Sequence, residues 1–404
     1  MPEHAARLAC PDCGLIQRLP RLAGRQVAEC ARCGRTLATP AEGQLQAPLA
    51  LALAALILLL PAMMAPLMRV SSHGVRHDGG LTSAAEALWR DGFPLLGTLV
   101  GTCGVLAPCV FLVLLIWVLA NLCVGQAAGL GRPFRWVCAL RPWMMLEVYL
   151  VGCFVAYSRI KVISWVEIGA GGWCLLAATL SWLLALTQLD ERTVWESLPV
   201  AAPARSGTRH IACIVCDLIV EETEEGRECP RCSAALRLRK PHAIRRTVAL
   251  LVAAYLLYVP ANVLPVLKIL YLGGEESNTI ASGVRELVRN ELWPLALIVL
   301  LASIIIPMLK LWGLTWMLLA TRAHSAVFLV ARTRLYRGIE LIGRWSNIDV
   351  FMAAVLVAFL KLGNLTQVHA GIGLVAFAAV VILTMLATLA FDSRVMWDVA
   401  KEGA

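Results

Sequence analysis

Eight cysteines in this chain are spaced to hold metal. "CPDC" and "CARC" set Cys10, Cys13, Cys30 and Cys33 as two C-x2-C pairs separated by sixteen residues, and "CIVC" and "CPRC" set Cys213, Cys216, Cys229 and Cys232 likewise, separated by twelve. A two-residue spacing lets neighbouring thiolates reach one ion from a tight turn, and two such turns complete a tetrahedral site. Each set is expected to be a zinc ribbon. Redox dithiols or disulfides fit the same cysteines, but paired C-x2-C turns in a reducing compartment favour structural zinc. Four thiolates close the coordination sphere, so no catalysis is expected there. A second kind of chemistry is suggested by "ASIIIPMLKLWG", residues 302–313, where Lys310 interrupts an apolar run.

The elements that position these residues follow from composition. Of 404 residues, 59% are hydrophobic and 16% charged, and the mean hydropathy is +0.73, more apolar surface than one soluble core can bury. The chain is expected to be an all-α polytopic membrane protein with eight transmembrane helices, near 47–68, 94–120, 145–165, 168–189, 247–270, 293–320, 349–365 and 370–391. The third and seventh are expected to begin earlier, in more polar sequence. The first 46 residues carry six arginines and no apolar stretch, so the first span is expected to be retained rather than cleaved.

Every second loop is basic. Segments 1–46, 121–144, 190–246, 321–348 and 392–404 hold 26 of the 36 basic residues, which predicts both termini and both ribbons in the cytoplasm. The net charge of +9 is spread over these loops rather than gathered on one domain, which argues against nucleic acid as a partner. No phosphate-binding loop, nucleophile-base pair or metalloprotease helix is present, and the chain is not expected to be an enzyme.

The second ribbon implies a duplication at an offset of about 200 residues. Pro61 and Pro66 match Pro260 and Pro265; "DGFP" at 91–94 matches "ELWP" at 291–294; Pro108 matches Pro307. "RPWMMLEVYL" at 141–150 aligns with "GRWSNIDVFM" at 343–352, and "LDERTVWES" at 189–197 with "FDSRVMWDV" at 391–399. The expected organisation is a ribbon (1–46), a four-helix module (47–189), a second ribbon with linkers (190–246), a second module (247–391) and a tail (392–404). An even number of crossings per half makes the repeat parallel, about an axis near the membrane normal.

The four-cysteine ribbon before four helices, done twice, together with W-x-x-[IL]-[DE]-V-[FY] and D-x-R-x-x-W-[DE], resembles the paraquat-inducible protein A family over essentially the whole chain. The resemblance implies a bacterial inner-membrane protein that works with a periplasmic MCE-domain tunnel protein, moving membrane lipids between the inner and outer membranes. Transporter and gate are both compatible with it.

Lys310 lies about ten residues from the cytoplasmic end of its span, roughly 15 Å of helix, so it sits near mid-membrane. A lysine there costs about 3 kcal/mol or more without a partner, water or a cavity. Asp349, Ser303, Ser346 and Thr384 are the expected companions, and protonation of the Lys310–Asp349 pair is the expected drive. The first module has Phe111, Met144 and Trp182 in place of Lys310, Ser346 and Thr384 and keeps only an acid, Glu147. Working chemistry therefore belongs to the second module. The plainer readings are snorkelling for Lys310, a helix cap or an Arg344 pair for Asp349, and bonds to their own helices for the hydroxyls. Pro307 is expected to kink its helix beside Lys310, and Pro61, Pro66, Pro260 and Pro265 to loosen the periplasmic ends of the first and fifth spans.

Segments 69–93 and 271–292 carry apolar positions at helical spacing, among them Leu81, Ala85, Leu88, Trp89, Ile280, Val284, Leu287 and Val288, and are expected to form short helices lying on the bilayer. His73 and His77, with only Asp78 near, do not make a metal site. Two other functions compete: a non-transporting scaffold or zinc-dependent envelope-stress sensor that anchors the MCE partner, and an oxidoreductase using Cys103, Cys109, Cys123, Cys138, Cys153 and Cys174. Those six have no ligand spacing and read as small hydrophobes. Elemental analysis of the purified protein is expected to give two zinc ions per chain, falling to one in Cys13→Ser or Cys216→Ser. Replacing the six span cysteines with alanine should leave lipid transfer unchanged.

Overall fold

The computed structural model describes residues 7–19, 26–38, 45–72, 75–200, 210–221, 224–271, 274–360 and 366–402. Among them eight helices are long and apolar enough to cross a membrane: Gln46–Met64, Pro94–Cys123, Gly131–Val162, Ala170–Gln188, Ala243–Val263, Trp293–Arg322, Leu329–Phe359 and Ile372–Ala390. The protein is a multi-pass membrane protein of two tandem four-span modules, each preceded by a four-cysteine cluster. Both ribbons lie at one end of the bundle, here called the ribbon side.

The third and seventh spans do begin early, and each is broken near its ribbon-side end. Helix Gly131–Leu140 runs through a 3-10 turn, Arg141–Trp143, into Leu146–Ile163, and Leu329–Ile342 runs through Gly343–Asn347 into Ile348–Phe359. In the second and sixth spans the prolines are accommodated by widened π turns, Thr102–Leu106 before Pro108 and Leu301–Ile305 before Pro307. Proline has no N–H to give the preceding turn, and a π turn absorbs that loss without ending the helix.

The opposite end carries two small sheets that periodicity alone did not reveal. Met68–Ser72 pairs antiparallel with Val75–Gly79 and with Trp165–Ile168; Leu267–Tyr271 pairs likewise with Gly274–Asn278 and Thr366–Ala370. Spans one and five therefore end earlier than expected, at Met64 and Val263. Gly171 and Gly373 admit the returning chain: a Cβ there would meet the Ala65 or Leu264 carbonyl oxygen at 2.4 Å. Helices Ser83–Arg90 and Ile280–Arg289 form where the apolar spacing predicts, but Leu81, Leu88, Ile280 and Leu287 are buried in the protein, not laid on lipid. They fill the space between sheet and spans. His73 lies outside the described residues; His77 is in a strand.

The modules meet along the third and seventh spans. Tyr149 and Phe351 pack edge to face at 5.2 Å, and Gly152 brings the backbones together, since a Cβ there would stand 2.9 Å from that of Phe351. Of the eight, the seventh span is the most enclosed.

The ribbons dock crosswise. The first ribbon sits on the second module: Arg337 donates to Asp12 and, at 3.0 Å, to the Cys33 sulfur, Ser393 donates to the Asp12 carbonyl at 2.9 Å, and Arg32 lies over the Trp397 ring at 5.5 Å. The second sits on the first module, where Arg135 donates to the Ser233 carbonyl at 2.7 Å and Gly131 lies against Arg231. Its linker is fastened to the tail: Lys240 caps the eighth span through the Leu389 and Phe391 carbonyls, and Arg239 grips Asp398. Burial draws the Lys240 ammonium below its ordinary value, against the pull of Asp392. Burial also pushes the Asp392 carboxyl up, but the Arg394 bonds outweigh it and hold it below the ordinary carboxylate value.

A Cβ on Gly131 would fall 1.8 Å from the Arg231 carbonyl oxygen, so Gly131→Ala must push the second ribbon away. Limited proteolysis of the variant is expected to cut within 210–240 several-fold faster than in the parent, with the first ribbon unaffected.

Candidate functional site

In each ribbon the four cysteines are buried and their sulfurs lie within 4.8 Å of one another. Cys10 and Cys33, and Cys13 and Cys30, are 3.5 Å apart; Cys213 and Cys232, and Cys216 and Cys229, 3.6 Å. Four sulfurs at about 2.3 Å from one zinc stand roughly 3.8 Å apart, while a disulfide closes to about 2.0 Å. The geometry fits an ion and not a disulfide. Every C-x2-C pair is folded by the same bond, from the N–H one past the second cysteine back to the first cysteine's carbonyl: Gly14 to Cys10, Gly34 to Cys30, Asp217 to Cys213 and Ser233 to Cys229. That donor residue is left-handed in all four, with φ of 69° and 65° at the glycines and 54° at both Asp217 and Ser233. The second ribbon thus carries strain of about 1 kcal/mol per turn that glycine spares the first.

Inside the membrane, the polar residues of the second module do not form one cluster. Lys310 is 1% exposed, and its ammonium donates to the Gly343 carbonyl at 2.5 Å, at the head of the 3-10 turn. It makes no ion pair with Asp349. Asp349 is 4% exposed on the first turn of the next helix, and neither carboxylate oxygen has a hydrogen-bond partner. It looks instead toward Arg159, a third-span residue that sequence reasoning passed over, across a cavity on the sheet side. An arginine near the end of a span reads as an interfacial anchor. Only the fold turns it inward.

The hydroxyls divide. Ser303 donates to the Val299 carbonyl at 2.5 Å and Thr384 to Val381 at 2.9 Å, both within their own helices, so the plainer reading describes them. Ser346, wholly buried in the 3-10 turn, has an unpartnered hydroxyl one turn before Asp349. Glu147 is paired, with Arg344 of the other module at 3.0 Å; Arg344 is therefore not the companion of Asp349. Where the second module has Lys310 and Thr384, the first packs Phe111 edge to face on Trp182 at 5.0 Å. Rings fill in one copy the space that polar chemistry occupies in the other.

The family model described as paraquat-inducible protein A matches residues 45–199 and 244–401. The chain is similar to a protein named intermembrane transport protein PqiA from Escherichia coli K12, 33% identical over 98% of this chain and 97% of that one. It is also similar to the lipophilic envelope-spanning tunnel protein A of the same strain, 31% identical over 98% and 92%. A probable intermembrane transport protein of Haemophilus influenzae is 25% identical over 97% and 96%. No solved structure matches.

The Glu147–Arg344 pair bridges the modules in low dielectric, where removing one partner strands the other. Glu147→Ala is expected to destabilise the protein by roughly 3 kcal/mol, whereas Glu147→Leu combined with Arg344→Met should cost markedly less. Thermal unfolding of the detergent-purified variants by intrinsic fluorescence measures both.

Proposed function

The chain belongs to the paraquat-inducible protein A family, and from that premise we propose that it is an inner-membrane lipid transporter or gate. It passes lipids to or from a periplasm-spanning MCE-domain tunnel. In this reading the ribbons hold zinc and face the cytoplasm, the two sheets face the periplasm, and the tunnel protein docks on the sheet side. The names of the relatives support movement between membranes.

The observation that carries the reading is the Asp349 carboxylate, buried between modules with both oxygens unpartnered beside a cavity. An unpaired carboxylate in hydrocarbon costs several kcal/mol and is retained where it takes up a proton or ligand during a cycle. Lys310 serves differently. It fixes Gly343, and Gly343 to Asp349 is one short stretch of 3-10 turn and helix start. Proton uptake at Asp349 then acts on one end of a segment that Lys310 holds at the other, rather than by breaking a bond between the two side chains. A bistable segment of this kind is what a gating step needs.

Lipid transfer by the protein reconstituted with its MCE partner, with and without an imposed pH gradient, tests this. Transfer in the parent is expected to rise with the gradient, and Lys310→Met and Asp349→Asn to lower the stimulated rate at least about tenfold while expressing normally. Gradient-independent transfer, equal in all three, would leave a passive gate, and no transfer at all a scaffold or stress sensor.

A further inference from the structure

The cavity on the sheet side measures about 130 Å³ and lies between the modules. Arg159 enters it from the third span; Glu286 enters from helix Ile280–Arg289 and Asp349 from the seventh span. These three supply its charge, one guanidinium against two carboxylates. No ion pair joins them, the Arg159 Nε is buried without a partner, and so are both Asp349 oxygens. Leu287, Val299, Met352 and Leu356 make the wall apolar, and Val162, 59% exposed, stands at its edge. Gly283 lies against the guanidinium: a Cβ there would stand in ordinary contact, 3.4 Å from an Arg159 terminal nitrogen.

Unsatisfied hydrogen-bonding groups of both signs, held apart in an apolar wall, specify a ligand that brings both signs itself. A guanidinium fork matches phosphate oxygens in two parallel bonds. Carboxylate oxygens accept only from N–H or O–H, so their natural counterpart is an ammonium that still carries protons, which a quaternary amine does not. The volume suits a headgroup and not two acyl chains.

Resting on the lipid-moving reading above, we propose that this cavity is a headgroup site selective for phospholipids bearing a phosphate and a primary ammonium. The phosphate meets Arg159, the ammonium lies between Asp349 and Glu286, and the acyl chains leave past Val162 into the bilayer. One cation against two anions disfavours lipids with a purely anionic headgroup.

The test is binding to the full chain in detergent, read by native mass spectrometry with phosphatidylethanolamine, phosphatidylcholine and phosphatidylglycerol of identical chains in competition. The parent is expected to retain phosphatidylethanolamine about tenfold over either other lipid, the size of effect one charge-assisted hydrogen bond gives. Arg159→Gln should lower its retention about tenfold. Asp349→Asn should remove the preference over phosphatidylcholine. Equal retention of the three lipids by the parent, or a preference untouched by Arg159→Gln and Asp349→Asn, would overturn the assignment. Lipid transfer measured alongside separates the two readings. Transfer without headgroup preference sinks the site alone, and preferential binding without transfer sinks the transport reading while the site stands.

Discussion

Polar groups inside a bilayer have no water to turn to, and the arrangement of the two modules depends on where those groups find one another. Glu147 finds Arg344 across the module boundary, Lys310 finds the Gly343 carbonyl, and the Tyr149 hydroxyl donates to the Leu81 carbonyl at 3.0 Å, tying the third span to the sheet side. Each bond crosses between elements. The approach of the third and seventh spans, close enough at Gly152 to bring backbones together, lets Glu147 reach Arg344. Asp349 and Ser346 lack such partners, as do the Arg159 Nε and the Trp182 Nε1, and the first two lie on the segment that Lys310 fixes.

Duplication gives the two halves the same frame, and the difference between them is a difference in filling. Phe111 against Trp182 fills its space by dispersion and burial, with the Trp182 indole Nε1 buried and unpartnered. Lys310 and Thr384, at the matching places, must instead reach backbone carbonyls, one on another element and one on its own helix. A polar filling is the weaker one in hydrocarbon, because it is stable only while every partner is in place.

Much of this was legible in the sequence because it depends on local spacing or bulk composition. C-x2-C geometry is set within a few residues, and spans of about 20 apolar residues announce themselves. The second ribbon, with the aligned prolines and the aligned segments 141–150 and 343–352, reveals the repeat. What escaped depends on distant pairings. The sheet strands are only four or five residues long and of mixed polarity, and their third members lie about 100 residues away; the glycines at 171 and 373, aligned between halves, were the available signal. The crosswise docking of ribbons rests on Arg337, Arg135 and Gly131, which look like ordinary surface residues. The burial of Lys310 is legible in its apolar run, but a backbone carbonyl partner leaves no trace in sequence, so the acid Asp349 stands out in its place.

The crosswise docking also bears on how firmly the polar segment is held. Arg337, Gly343 and Asp349 follow one another along a single stretch of chain through the 3-10 turn. Arg337 is clasped by Asp12 and Cys33 of the first ribbon, Gly343 by Lys310, and Arg344 by Glu147 of the first module. The ribbon that precedes the first module thus steadies the second, and the first module steadies the same segment from the side. A 3-10 turn is too short and too poorly bonded to keep its shape unaided. Asp349 lies past these grips, on the first turn of the helix that follows the 3-10 turn.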